Sequence, residues 1–269
     1  MPTELGDRFG RSVLSNFTRL QERSLGKSYL NESLLASAAE IRTGHPLFSD
    51  LEIGEQRSSD LASVFLDLSN FTGRTFWDDP EDVAFLAHAV LSGFTEVVKN
   101  LGGHVLGLRG DGLFAAFGPT SDPAVAVGVA ATACAAALEG VKEVLNPQLR
   151  YRNIDPVVAR AGADYGTAVF VRSGIASTSE VNVIGFASNF AAKCEKSANA
   201  WELVVGETFA SHINVKSHLF THAESPKKYT REYQTKSYNF YNYSWKHLLP
   251  EVDSTVAELG GNSLEMINF

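Results

Sequence analysis

Residues 102–118, GGHVLGLRGDGLFAAFG, constrain the fold more than any other stretch of this chain. Two short apolar runs, 104–108 and 113–117, flank Arg109-Gly110-Asp111-Gly112, and that pattern predicts a β-hairpin with a carboxylate at its tip. Glycines on either side let backbone or ligand come close, and an acid on a rigid turn between buried strands suits a hard cation. Asp-Gly is also an ordinary hairpin turn. Asp111 taken alone therefore leaves a plain turn and a metal ligand both open.

A second stretch adds another acid. Residues 62–72, ASVFLDLSNFT, predict a buried strand (Val64, Phe65, Leu66) that ends on Asp67 and a short polar loop, Ser69-Asn70, before Phe71-Thr72. Between the two acids, residues 80–101 carry Val83, Leu86, Val90, Phe94, Val97 and Leu101 at helical spacing, with Gly102-Gly103 as the stop. The order is strand, helix, hairpin. A right-handed crossover then sets the first strand beside the hairpin, with Asp67 and Asp111 at neighbouring positions on one sheet edge.

Residues 1–58 read as a helical extension. Leu5, Phe9, Val13, Phe17 and Leu20 form one apolar stripe, and Leu30, Leu34, Ala38 and Ile41 form a second. Packing on the chain's own domain and joining two subunits are equally open uses for them. Asp122-Pro123 caps a long Ala- and Val-rich helix to about 145, where Asn146-Pro147 ends it. Residues 157–166 and 167–171 are expected as a pair of strands, 181–184 and 202–205 as short strands, 187–198 as a helix and 233–245 as one long aromatic strand. The sum is an α+β, ferredoxin-like (βαββαβ) domain over 59–249, followed by a loosely held tail, 250–269.

A net charge of -8 argues against a nucleic-acid surface. The best apolar run, 124–138, reads as a packed helix rather than a membrane span, and no signal peptide is evident. Cys134 and Cys194 lie on separate expected helices without metal spacing, as suits a reducing cytoplasm.

The blocks F-x-D-L-x-x-F-T from Phe65, Gly-Asp on a hairpin followed by Phe117-Gly118, Arg160-Ala-Gly162-x-x-x-Gly166 and Gly185-x-x-x-Asn189-x-x-x-Lys193 resemble the class III nucleotidyl cyclase catalytic domain over about 63–245. The resemblance implies a homodimer with active sites at the subunit interface and two divalent cations, Mg²⁺ or Mn²⁺, held by Asp67, Asp111 and the backbone carbonyl of Leu68. It implies triphosphate contacts from Ser69, Asn70, Phe71, Thr72 and Arg160, although a surface salt bridge is the plainer use of Arg160. It further implies that Asn189 positions the ribose across the interface and that Lys193 stabilises charge on the α-phosphate. Arginine is usual at the second place, and lysine keeps the charge but lacks the two-pronged fork. A solvated helix lysine competes with that reading.

The two base-reading places of the family fall on Gly107 and Asn182, and neither carries the usual purine reader. In this respect the chain is similar to the stand-alone pyrimidine cyclases of bacterial anti-phage (Pycsar) signalling, which implies CTP or UTP as substrate, a cyclic second messenger as product and a separate effector protein that reads it. The Asn182 amide both donates and accepts, so it leaves the two pyrimidines open. Two other expectations stay beside this one. One is an adenylate or guanylate cyclase with an atypical base pocket; the other is a cyclase-like domain that binds nucleotide without turnover.

Overall fold

The computed structural model describes residues 1–24 and 43–264, and the second apolar stripe at Leu30, Leu34, Ala38 and Ile41 lies outside them. The domain is built on a sheet whose core runs β1 (Gln56–Ser69), β2 (His104–Arg109), β3 (Gly112–Phe117) and β4 (Val158–Ile175), in the spatial order β2-β3-β1-β4. All three neighbouring pairs are antiparallel. With a helix between β1 and β2 and another between β3 and β4, this is the βαββαβ arrangement expected. The sheet then widens through β5 (Thr178–Ile184), β6 (Leu203–Gly206), β7 (Leu219–Thr221) and β10 (Phe240–Tyr243), while β8 (Lys227–Arg231) and β9 (Gln234–Tyr238) pair as a separate hairpin.

Alternation along β1 assigns its two faces. Ala62, Val64, Leu66 and Leu68 join the main core, under α1 (Glu4–Ser24), α3 (Pro80–Asn100) and α4 (Pro123–Glu139). Phe65 and Asp67 point to the opposite face, where α6 (Phe186–Ser197) crosses β1 and β4. The short α2 (Phe71–Trp77) follows β1, and its N-cap residue Asn70 is left-handed at φ 59°.

Helix α1 belongs to this core. Its Leu5, Phe9, Val13 and Phe17 are buried, and Phe9 stacks on Phe94 at 5.8 Å. The ring enters a slot made by two glycines, since a Cβ at Gly93 or Gly140 would lie 2.5 or 2.4 Å from it. Of the two uses left open for the first stripe, the structure shows packing on the chain's own domain.

Four expectations are corrected. The strand pair at 157–166 and 167–171 is a single strand, β4, because it pairs with β1 along its whole inner length and then with β5. The helix from Pro123 does not end at Asn146-Pro147. A π-turn, Gly140–Leu145, carries it into α5 (Asn146–Tyr151), where the proline sits in the first turn and needs no hydrogen-bond partner. The long strand at 233–245 is divided between β9 and β10, which lie in different sheets. The tail is not loose over 250–264: α7 (Val252–Leu259) buries Val252 and Leu259, and the Leu264 N–H donates to the Gly102 carbonyl. The run from Pro123 to Tyr151 is long and apolar enough to cross a membrane by composition, but 83% of its most apolar window is buried inside the domain.

Candidate active site

Three strands place the charged groups side by side. In one row across the sheet, Gly112 of β3, Asp67 of β1 and Arg160 of β4 are register partners. Asp111 occupies the two-residue hairpin turn next to Gly112, with Gly110 left-handed at φ 61°. The expected adjacency of Asp67 and Asp111 is therefore present. Burial and then the Asp67 charge push the Asp111 carboxyl above the usual carboxylate range. An acid whose charge is disfavoured beside a second carboxylate makes a site that gains by taking up a cation.

Arg160 closes the other side of Asp67. Its Nη2 and Nε donate to the same oxygen, Asp67 Oδ2, at 2.9 and 3.2 Å. Nη2 also lies 2.6 Å from Glu195 Oε1 of α6. Glu195 is 7% exposed, and burial, reinforced by Asp67, pushes its carboxyl upward. Gly162 sets its place. A Cβ there would lie 2.0 Å from the Glu195 nitrogen and 2.4 Å from the Ala191 carbonyl, so the helix backbone rests directly on β4. Any side chain at 162 would lift Glu195 away from Arg160.

Asp67 and Glu195 open onto a groove of about 360 Å³ that is also lined by Gly107, Arg109, Asn182 and Asn189, while Asp111 and Arg160 sit beside it rather than in its lining. That volume suits a small-molecule ligand. Phe65 and Phe114, stacked at 4.5 Å across β1 and β3, form part of its wall. Gly107 follows an irregularity in β2, and a Cβ on it would meet nothing within 4 Å. Packing therefore permits a side chain at 107, and its absence leaves space in the groove. Asn182 stands opposite Val171 on β5, half-buried.

The remaining expected residues divide. Asn189 lines the groove, but Lys193, one turn on, does not: its ammonium donates to the Tyr229 hydroxyl at 2.9 Å and sits 4.7 Å over that ring. Ser69 ends β1 with a buried hydroxyl that has no hydrogen-bond partner among the described residues, Phe71 is buried at the start of α2, and Thr72 is exposed beside it. Leu68 sends its side chain into the main core. Among the described residues no group of three or more His, Cys, Asp or Glu side chains converges in a form suited to a metal, so any cation at Asp67 and Asp111 would complete its shell from backbone, substrate or water oxygens. The paired acids and the side-chain-free Gly112 beside them fit such a cation.

Sequence reasoning missed Glu195 and Arg109. For Glu195 a signal existed, because the apolar stripe of α6, Ala187, Phe190, Ala191 and Cys194, runs straight onto an acid. Arg109 gave none beyond its place beside the turn.

No family model matches the chain. It is 25% identical to an Escherichia coli cytidylate cyclase over 186 residues, 65% of this chain, and spans 40% of the length of that curated relative. Among solved structures it superposes on the adenylyl cyclase CyaB from P. aeruginosa with a TM-score of 0.60 at 20% identity, covering 70% of this chain and 95% of that one. For the guanylyl cyclase Cya2 the values are 0.59 and 16%, covering 72% and 94%. The chain has the fold of the class III nucleotide cyclase catalytic domains.

Proposed function

We propose that this chain, with its class III cyclase fold, converts a pyrimidine nucleoside triphosphate, CTP or UTP, to the 3′,5′-cyclic monophosphate and pyrophosphate. The observation that carries this reading is the adjacency of Asp67 and Asp111 beside a groove that Asp67 lines together with Gly107 and Asn182. Likeness to a cytidylate cyclase supports a pyrimidine as the base.

Asp67, Asp111 and the Leu68 carbonyl would hold the cations, Mg²⁺ or Mn²⁺, which when bound supply charge neutralisation to the phosphates and acidity to the attacking hydroxyl. Arg160 and the backbone N–H groups of Ser69, Asn70, Phe71 and Thr72 would engage the phosphates. Asn182 reads the base edge by its amide. Gly107 offers no side-chain hydrogen bond to a base, so selectivity comes from the shape of the groove and that amide.

Asn189 and Lys193 would act on the site of a second copy. Leu108, Ile184 and Phe186 are large apolar residues left exposed near the groove, as an isologous dimer interface would use. A freely diffusing cyclic product made in the cytoplasm implies a separate effector protein that binds it, and the whole reads as a second-messenger synthase of anti-phage defence.

One observation favours a binding domain without turnover, namely the engagement of Lys193 with Tyr229 outside the groove. Incubating purified protein with each of the four ribonucleoside triphosphates and Mn²⁺, and reading products by mass, decides between them. A cyclic pyrimidine product is expected. A purine product, or none, would overturn the proposal.

A further inference from the structure

We infer that Glu195 is a positioning residue that retains the guanidinium of Arg160 at the phosphate end of the groove when Asp67 engages a cation. The inference rests on reading the groove as a triphosphate site. It begins from a conflict of charges, because Arg160 is held by the same carboxylate that the cations need. Two of its nitrogens converge on Asp67 Oδ2. Its third, Nη1, reaches only the Lys196 and Ala198 carbonyls, both at 3.5 Å, the outer limit of a hydrogen bond. Were Asp67 the sole anchor, a cation arriving there would either be shut out by the guanidinium or set it adrift.

Glu195 removes that choice. Its side chain is almost wholly buried, and its backbone is held against β4 by the direct contact of α6 with Gly162. Its Oε1 lies 2.6 Å from Nη2, yet makes no hydrogen bond of acceptable geometry. The guanidinium is thus aligned on Asp67 and only in ionic contact with Glu195. A small shift away from Asp67 would complete the second bond. Arg160 therefore has two positions within reach: one across Asp67 in the cation-free protein, the other on Glu195, leaving Asp67 to the cation and the remaining N–H groups to a phosphate. A planar fork spanning two carboxylates suits this exchange, and an ammonium does not.

Binding of inorganic tripolyphosphate in the presence of Mn²⁺, followed by calorimetry, tests this without requiring turnover. Glu195→Gln keeps the shape and removes the anchoring charge. It should weaken tripolyphosphate about tenfold, as loss of one charge-assisted hydrogen bond does, and raise KM for the nucleotide by a similar factor while kcat moves less than about threefold. In an Arg160→Ala background the same change should add nothing, since a residue that acts only through Arg160 has nothing left to act on. Arg160→Lys should show the same loss as Glu195→Gln, with Glu195 untouched, and so covers the case in which the Glu195→Gln protein folds poorly. Wild-type binding by either single variant, additive losses in the double variant, or no tripolyphosphate binding by the wild type would each overturn the inference. Wild-type protein that shows the full pattern but cyclises no nucleotide would sink the cyclase reading and leave the role of Glu195 standing.

Discussion

Asp67 and Gly112 face each other across the β1–β3 ladder, and a Cβ on Gly112 would lie 3.1 Å from Asp67 Oδ1. The other carboxylate oxygen, Oδ2, is turned to Arg160. Asp67 thus commits one oxygen to the neighbouring strand's guanidinium and directs the other toward the turn that carries Asp111. Gly112→Ala should press on Oδ1 and lower Mn²⁺ affinity about tenfold, while folding stability changes by about 1 kcal/mol or less. A Mn²⁺ titration beside a thermal melt checks this. Unchanged affinity would show that Oδ1 does not serve the cation.

Asp67→Asn and Asp111→Asn should each abolish cyclisation with the fold intact, because each removes ligands shared by the cations. The two should differ in stability. Burial and the Asp67 charge already disfavour the Asp111 carboxylate, so Asp111→Asn should melt no lower than wild type. Wild-type turnover by either variant at saturating Mn²⁺ would mean the cations sit elsewhere.

Selectivity should follow from Gly107 and Asn182. CTP or UTP should outcompete ATP and GTP under matched metal, and Asn182→Ala should cost on the order of 1 kcal/mol in kcat/KM, as expected for one amide hydrogen bond. Because a Cβ at 107 would meet nothing within 4 Å and would face the groove, Gly107→Lys should fold normally and alter base preference. Competition assays on the purified variants report both effects, and a Gly107→Lys protein with unaltered preference would place the base elsewhere.

If Asn189 serves the partner's site, the enzyme is a dimer with two equivalent composite sites. Asp67→Ala and Asn189→Ala should each be inactive alone and regain some activity when mixed and allowed to exchange subunits. Full activity from a monomer at high dilution would exclude the arrangement.

A buried acid far from the proposed chemistry sets a pH dependence. Asp164 is fully buried and accepts from the Tyr165 and Phe209 N–H groups and the Tyr238 hydroxyl, yet burial pushes its carboxyl up to about 7. Its folded value is above the unfolded one, so its contribution is full below about pH 4 and is lost as pH rises through 7, on the order of 4 kcal/mol in all. The melting temperature of wild type relative to Asp164→Asn should therefore fall steadily across that window. A flat difference between the two proteins would show that Asp164 titrates normally.

The hairpin, the helix between the two acids and their adjacency were legible because each depends on local signals: turn glycines, a periodic stripe, and the handedness of one crossover. What was not legible depends on partners distant in sequence. Nothing within 157–175 announces that β1 runs alongside so much of it, so Gly166 read as a break. Asn239 likewise hides the point where one aromatic run changes sheets. Pro147 read as a stop because a proline at the first turn of a continuing helix looks the same in one dimension. Of the candidate site, the adjacency of Asp67 and Asp111 is legible from residue type and spacing. Glu195 escaped because its meaning comes from Arg160 on a distant strand and from a helix lying flat on Gly162.

The slot that receives Phe9 bears on how the chain could be shortened. A fragment trimmed to the sheet and its crossover helices would retain every residue assigned to the groove, yet leave a ring-sized void between Gly93 and Gly140. Losing a buried phenylalanine typically costs about 3–5 kcal/mol, against a total stability of about 5–15 kcal/mol for a domain. The smallest piece that holds the chemistry and the smallest piece that folds are therefore different pieces, and any truncation, fusion or split-protein design on this scaffold has to carry its first helix along.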